Sequence, residues 1–431
     1  MADEKQYKSQ HQTHLQEILK TKFIRFITTP SAFDFYIYQG ESRGYQYELA
    51  KRFVAHLNQK YLKKDPIKIR FEMIPLSFID MITALREKKG DVIAANLTIT
   101  HQRQDLVAFT KPIKSTQEII VTRKELQNEL VWRQRMAIRK GTSFFEHIME
   151  WNQTHPEKFL AVDYVDKSLE IENILELVAY GKYDYAMTDS HIFEMANSIH
   201  PKLVMAKNQP FKKDTLIAWA TNLESTELLK ELNAFIPKVK EGSLLGNIFQ
   251  NRYFNDLSVI SDARNTRHIS EYDSLIKKYS KKYDLDWRLM SALAFQESRF
   301  NAGIINRWGA IGLFQIKEAT ANEPYVAIKK IKGKKNVENN IHAGIKYFAW
   351  IRDNLYRNLK GKDKIKFSLA TYNAGPGNIQ KAKRLAKKLS LKTTKWEKNV
   401  EYAFIKLNRL EPVKYVSEIM NRYKSYKLIG Y

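Results

Sequence analysis

The feature that most constrains this chain is a change of hydrophobic grammar near Asp262. Before it, short β-branched or aromatic runs alternate with helical patterns: FIRFITT, YELAKRFVAHLNQKYL, IKIRFEMI and FIDMITALREKKG come one after another from Phe23 onward. Strand-period runs interleaved with helix-period runs specify successive βα units of an open sheet. The order continues through MAIRKGTSFFEHIMEW, LAVDYV, LEIENILELVAYGKYDYAMTD and LVMAK, and TLIAWAT returns to a strand. After Asp262 almost every apolar stretch has helical spacing, as in EYDSLIKKYSKKYDLDWRLMSALAFQESRF and NNIHAGIKYFAWIRDNLY. The reading is an N-terminal extension over 1–20, an α/β unit with two lobes over 21–258, a polar linker over 259–269 and an all-α domain over 270–431.

Composition narrows the partners. Lys and Arg number 72 against 47 Asp and Glu, for a formal charge of +25 spread along all 431 residues. Such a field favours polyanionic surroundings. Zinc-finger spacing, an RNP-type aromatic motif and a basic heptad helix are all missing, so nucleic acid is not the expected partner. A cell wall bearing peptide carboxylates or an anionic membrane face fits the charge, as does a plain Lys-rich solvated surface. The chain has no Cys, which excludes disulfides, thiol nucleophiles and thiolate metal sites. Its ten His form no HExxH pair, so neither a catalytic metal nor a cofactor is expected. No apolar run approaches the roughly 20 residues of a membrane-spanning helix. The start, MADEKQYKSQ, lacks a signal-peptide core. In an exported protein the targeting segment, with any lipid-bearing cysteine, would have been removed before this numbering begins.

The chemistry-bearing residues of the last third begin at Asp286, which can cap a helix. Leu289, Met290, Leu293 and Glu297 come next, at spacings that put them on one face. Burial against that stripe, and the negative end of the helix dipole, both disfavour the charged carboxylate. A Glu held protonated near neutral pH is what a general acid requires. By spacing alone, a Glu at a frayed helix end facing water is the more ordinary reading. Four motifs weigh against it: Glu297-Ser298-Arg299-Phe300, Gly309-Ala310-Ile311-Gly312-Leu313-Phe314-Gln315, Tyr372-Asn373-Ala374-Gly375, and Glu411 to Val416.

With these motifs in order, residues 270–420 resemble the Slt-type lytic transglycosylases, whose fold is similar to goose-type lysozyme. The departures from the family pattern are Phe314 for Met, Thr371 for Ala and Pro412 for Thr. None removes a group the chemistry needs. Physically, Gly309 and Gly312 allow close approach of backbone to a sugar or a helix. Gln315 and Asn373 offer amides for N-acetyl groups, and Tyr372 and Tyr415 offer flat faces for a glycan cleft. Taken singly, each is more ordinarily a packing residue. The resemblance implies that Ser298 orients the Glu or a saccharide group, and that Tyr415 and Asn373 sit beside the N-acetyl-bearing sugar. Most glycosidases use two carboxylates, yet no second one is evident, and nothing places Glu318 or Glu323 in a cleft. The resemblance supplies an alternative: Glu297 acts as both acid and base, the substrate's N-acetyl oxygen assists, and a 1,6-anhydro ring closes on N-acetylmuramic acid.

Residues 21–258 resemble the family 3 extracellular solute-binding proteins, chiefly through Asn96-Leu97-Thr98-Ile99-Thr100-His101-Gln102-Arg103 and Phe109-Thr110-Lys111-Pro112. The resemblance implies that Asn96 and Thr98 hydrogen-bond an amino-acid ligand, Arg103 clamps its carboxylate and Asp189 takes its ammonium. Thr142, in Gly141-Thr142-Ser143, presents a hydroxyl at a helix start. A surface role for Arg103 and a helix-capping role for Asp189 are the plain alternatives. One of Phe33, Phe35 and Tyr36 is expected to cover the ligand. A solute-binding domain fused ahead of a transglycosylase domain implies a periplasmic enzyme at the outer membrane, acting on peptidoglycan and regulated by an amino acid or muropeptide. The competing readings are a solute-sensing or glycan-binding protein with little catalysis, and a hydrolytic muramidase.

Overall fold

The computed structural model describes residues 15–132, 134–167, 169–207, 211–264 and 268–431. The predicted extension up to residue 14, and residues 265–267 of the predicted linker, lie outside these. By packing, the chain forms two compact units, one of Met1–Tyr36 with Ser42–Thr266 and one of Ile37–Glu41 with Arg267–Tyr431. The sequence pattern runs the first domain without a break, whereas five of its residues pack with the second unit. There Tyr426 donates to the Gly40 carbonyl at 2.7 Å and Tyr431 to that of Ile37 at 3.2 Å.

In the first unit the sheet runs in the order Arg70–Pro75, Phe23–Thr28, Val92–Thr98, Lys212–Thr221, Lys114–Arg123, Tyr185–Asp189, Arg135–Ile138, Ala161–Tyr164. The first three strands are mutually parallel, and Arg135–Ile138 lies parallel to both of its neighbours. Between these two groups the ten-residue strands Lys114–Arg123 and Lys212–Thr221 run antiparallel to each other and to their outer neighbours. Two βα lobes therefore share one sheet through a pair of long strands. Strands covered by helices on both faces need apolar residues on both, and Ile24, Phe26 and Ile27 of one strand are all fully buried. The helix Tyr45–Tyr61 covers this region by burying Leu49, Phe53 and Leu57. The predicted extension and linker are partly helical: Leu15–Thr21 buries Leu15 and Ile18, and Leu257–Arg264 continues into the polar segment.

The second unit is helical, as expected, with one exception. Its central helix Trp287–Ser298 packs on Asp273–Lys282 and on the long Glu411–Ile429. Asp286 caps it, accepting from the Arg288 backbone N–H at 3.0 Å. The sequence suggested a single apolar stripe, but every residue from Leu289 to Phe295 is buried, Ser291 and the two alanines included. A helix at the centre of a domain meets neighbours on all sides, and small residues let them approach.

The exception is the glycine motif, which forms a two-stranded hairpin of Ala310–Ile311 and Ile316–Lys317. Gly312 turns it at φ 71°, where an added Cβ would lie 2.6 Å from Asn340 Nδ2. That amide holds the turn at both ends, donating to Ile311 O at 2.8 Å and accepting from Phe314 N at 3.1 Å. Gly309 differs: its φ is 76°, but a methyl group added there would meet nothing within 4 Å. Close approach thus explains Gly312, to a helix residue, while Gly309 is needed for backbone conformation alone. No helix among the described residues is long and apolar enough to cross a membrane.

These two glycines separate conformational from steric cost. Gly309→Ala is expected to destabilise by about 1 kcal/mol, and Gly312→Ala by roughly 2–4 kcal/mol because the Asn340 clamp must also move. Urea denaturation of the two variants checks this; equal losses would show that the clamp yields freely.

Candidate functional site

Glu297 is the last residue but one of its helix, which Arg299 ends in the left-handed conformation at φ 51°. Its carboxyl faces the tyrosine of the last motif: Tyr415 Oη donates to Glu297 Oε1. Burial is the largest influence and raises the Glu297 pKa to about 7. The Tyr415 hydrogen bond works against it, and the nearby negative charge of Glu411 works with it. Burial also holds the phenols of Tyr415 and Tyr372 well above their ordinary range, so Tyr415 remains a donor. The group is therefore poised between acid and base near neutral pH, and its alternative as a water-facing carboxylate at a frayed end does not hold.

The other motif residues divide into two sets. Asn373, at the end of the helix Gly361–Ala374, donates to Glu411 Oε1 at 2.6 Å and leaves its buried Oδ1 without a partner. An unmatched carbonyl oxygen beside the Glu297 pair is suited to a ligand N–H. Ser298, Gln315 and Tyr372 serve the hairpin. Ser298 Oγ donates to Ala294 O at 3.1 Å and Leu313 O at 2.9 Å, and not to Glu297. Tyr372 donates to Phe314 O at 2.8 Å, and Gln315 Nε2 to Gly312 O at 2.9 Å. The hydroxyl expected to orient the acid or a sugar instead fixes the hairpin to the helix end, because Leu313 O needed a donor inside the fold. Sequence reasoning gave Glu411 no role beyond opening the last motif. The available signal was its place four residues before Tyr415, which puts both on one helix face.

In the first unit a cleft of about 510 Å³, counting space open to solvent, brings together Asn96, Thr98, Thr142 and Asp189. Thr142 caps the helix Ser143–Thr154, accepting from Phe145 N at 3.4 Å. Asp189 stands at the helix-capping position of Ser190–Ile199 but makes no capping bond, and its Oδ1 has no partner. Of the three aromatics singled out, Phe33 lines the cleft, joined by Phe78, which sequence reasoning missed. Arg103 is only 3% exposed, so it is no surface arginine, yet it is not among the lining residues. Its guanidinium donates to Thr98 O and Gly141 O, each at 3.0 Å, and pairs with Glu146 at 3.3 Å. The cation that does line the cleft is Arg139, bound to Glu170 at 2.8 Å and with its Nε unpartnered.

Residues 24–256 match the bacterial extracellular solute-binding proteins, family 3, and residues 274–395 match the transglycosylase SLT domain. The last motif, Glu411 to Val416, lies beyond that second match. A protein of Desulfosudis oleivorans named membrane-bound lytic murein transglycosylase F is 26% identical over 425 residues, covering 92% of this chain and 88% of its own. One of the same name from Photobacterium profundum is 26% identical over 462 residues, covering 99% and 84%. Among solved structures, holo ArgBP from T. maritima is 20% identical with a TM-score of 0.44, covering 54% of this chain and 97% of its own.

The balance at Glu297 can be read directly. In an NMR titration of the glutamate carboxyls, Glu297 is expected to titrate at about 7. Tyr415→Phe removes a donor that favours the carboxylate and should move the midpoint up. Glu411→Gln removes a negative neighbour and should move it down. Shifts of the same sign in both variants would show that these two residues do not act on the acid in this way.

Proposed function

Since the chain belongs to the bacterial extracellular solute-binding proteins, family 3, through residues 24–256, and carries a transglycosylase SLT domain behind them, we infer that it is a peptidoglycan lytic transglycosylase with its own ligand-binding regulatory domain. The observation that carries the reading is a single carboxyl, Glu297, half-buried at a helix end and held near neutral pKa by its surroundings, Tyr415 and Glu411 among them. An acid with that pKa gives up and recovers a proton within one turnover.

The proposed sequence uses that property twice. Protonated Glu297 donates to the oxygen bridging N-acetylmuramic acid and N-acetylglucosamine, and the C1–O bond breaks. The N-acetyl oxygen of the muramic residue stabilises the developing cation at C1. The Glu297 carboxylate then takes the proton of the same sugar's C6 hydroxyl, whose oxygen bonds to C1. The product carries a 1,6-anhydro end, and no water enters. The free Asn373 Oδ1 is suited to the acetamido N–H, and holding that group fixes the assisting oxygen. Glu411 favours a second reading, water attack by a two-carboxylate muramidase, but it already accepts from Asn373.

The name of the curated relatives, membrane-bound lytic murein transglycosylase F, supports a periplasmic, membrane-associated enzyme. Attachment to the outer membrane through a processed lipid anchor, and a muropeptide or amino acid as the effector, are the finer parts of the proposal. An effector alters turnover only by binding two states of the protein unequally.

Mass spectrometry of purified sacculi digested by the protein is expected to find anhydromuropeptides, and Glu297→Gln should lose activity by about 10³-fold or more. Products heavier by one water would establish the muramidase, and equal release by the variant would end the enzyme reading. Because the acid must be protonated, the rate should fall as pH rises through about 7. Turnover that is unchanged by every tightly bound small ligand would remove the regulatory half.

A further inference from the structure

The cleft of the first unit holds more acidic side chains than its own cations pair. Asp34, Glu170, Glu172 and Asp189 all line it, against the single cation Arg139. Arg139 is committed to Glu170 at 2.8 Å. Among the described residues no ion pair reaches Asp34, Glu172 or Asp189. Each of the three is bound, if at all, by neutral donors. Asp34 accepts from Thr29 Oγ1 and, at 3.4 Å, from Asn96 Nδ2. Glu172 Oε1 accepts from the Ala32 backbone N–H at 2.9 Å. Asp189, 3% exposed, has no partner at Oδ1, and Glu172 Oε2 and Asn96 Oδ1 are likewise buried and unmatched.

Those acceptors fall into two places. Glu170 acts electrostatically on both Asp34 and Glu172, and Asp34 acts on Glu172. Asp189 feels the charges of Glu118 and of the Lys114 ammonium, which also feels Asp34. Glu118 is satisfied by Ser143 at 2.9 Å and His147 at 2.6 Å. Lys114 is buried, lies 4.5 Å from the Phe254 ring and donates to Gln250 at 3.3 Å. The neighbouring His191 is kept neutral by burial. A buried carboxylate without a counter-charge is costly, and burial alone would keep it protonated.

We propose that this cleft is built for a basic amino-acid ligand, with one ammonium on Asp189 and a second cationic group, ammonium or guanidinium, between Asp34 and Glu172. The proposal rests on the effector-binding reading above and specifies its ligand class. Two charge-assisted pairs would satisfy the unmatched oxygens that water or a neutral side chain leaves to weaker donors. Arg139, with a free Nε, is the lining group that meets the ligand's carboxylate, since the Arg103 guanidinium is taken up by Thr98, Gly141 and Glu146. Burial raises the pKa of Asp34 to about 7 and those of Glu172 and Asp189 to about 8. A cation that ionises them therefore releases protons near neutral pH.

The test is calorimetry on the full chain with L-arginine and L-lysine, their neutral near-isosteres L-citrulline and L-norleucine, and L-glutamate. Arginine or lysine should bind about ten- to a hundred-fold more tightly than its neutral counterpart. Proton release, read from buffers of different ionisation enthalpy, should accompany the basic ligand. Glu172→Gln should remove most of that preference while the far-ultraviolet circular dichroism and the cooperative thermal transition of the protein are kept, which separates lost charge recognition from misfolding. Equal binding of charged and neutral partners, or tightest binding of glutamate, overturns the cationic assignment and leaves the amino-acid reading standing. No binding of any of the five overturns both.

Discussion

The structure turns on keeping carboxyl groups out of water. Glu297 sits near the end of a helix in which every residue from Leu289 to Phe295 is buried, and that burial is what lifts its pKa toward neutrality. Two residues of the final helix then adjust it in opposite senses, Tyr415 by hydrogen bonding to the carboxylate and Glu411 by its charge. Without the surrounding packing, neither adjustment would leave a proton on the acid at neutral pH. The packing of Trp287–Ser298 against Glu411–Ile429 thus sets how tightly the carboxyl holds its proton.

The first unit keeps carboxyl groups from water in the same way. Glu170 pairs with Arg139 in the cleft wall, whereas Asp34, Glu172 and Asp189 line the cleft with no ion pair among the described residues. The long antiparallel strands Lys114–Arg123 and Lys212–Thr221 matter here, because they run between the two parallel strand groups whose ends supply the lining. Asp189 leaves the end of a strand, and Thr142 begins a helix, so rigid elements hold both. Local order of this kind reduces the entropy lost when a ligand binds.

Much of the architecture was legible in one dimension. Alternating strand and helix periods marked the two-lobed α/β unit, and helical spacing after Asp262 marked the second, because side-chain periodicity is imposed by local backbone geometry. The exceptions have local causes as well. The glycine motif forms a hairpin inside a helical unit because Gly312 adopts a left-handed φ and Asn340 grips the turn. Leu257–Arg264 is helical although its second half reads as polar linker, since helix formation does not require an apolar face throughout.

What the amino-acid order determined by itself was the identity of the chemical groups and their neighbours along each element: a Glu closing an apolar helix, an Asn and a Tyr in motifs far downstream, an Asp at the end of a strand. Which of these meet was decided only in three dimensions. Folding placed Tyr415 on Glu297, sent the Ser298 hydroxyl to Leu313, tied the Arg103 guanidinium to Thr98 and Gly141, and put Arg139 and Glu172 into the cleft. The reason is that a hydrogen bond or a desolvated charge depends on which residues distant in sequence exclude water from the same few ångströms, and no periodicity records that.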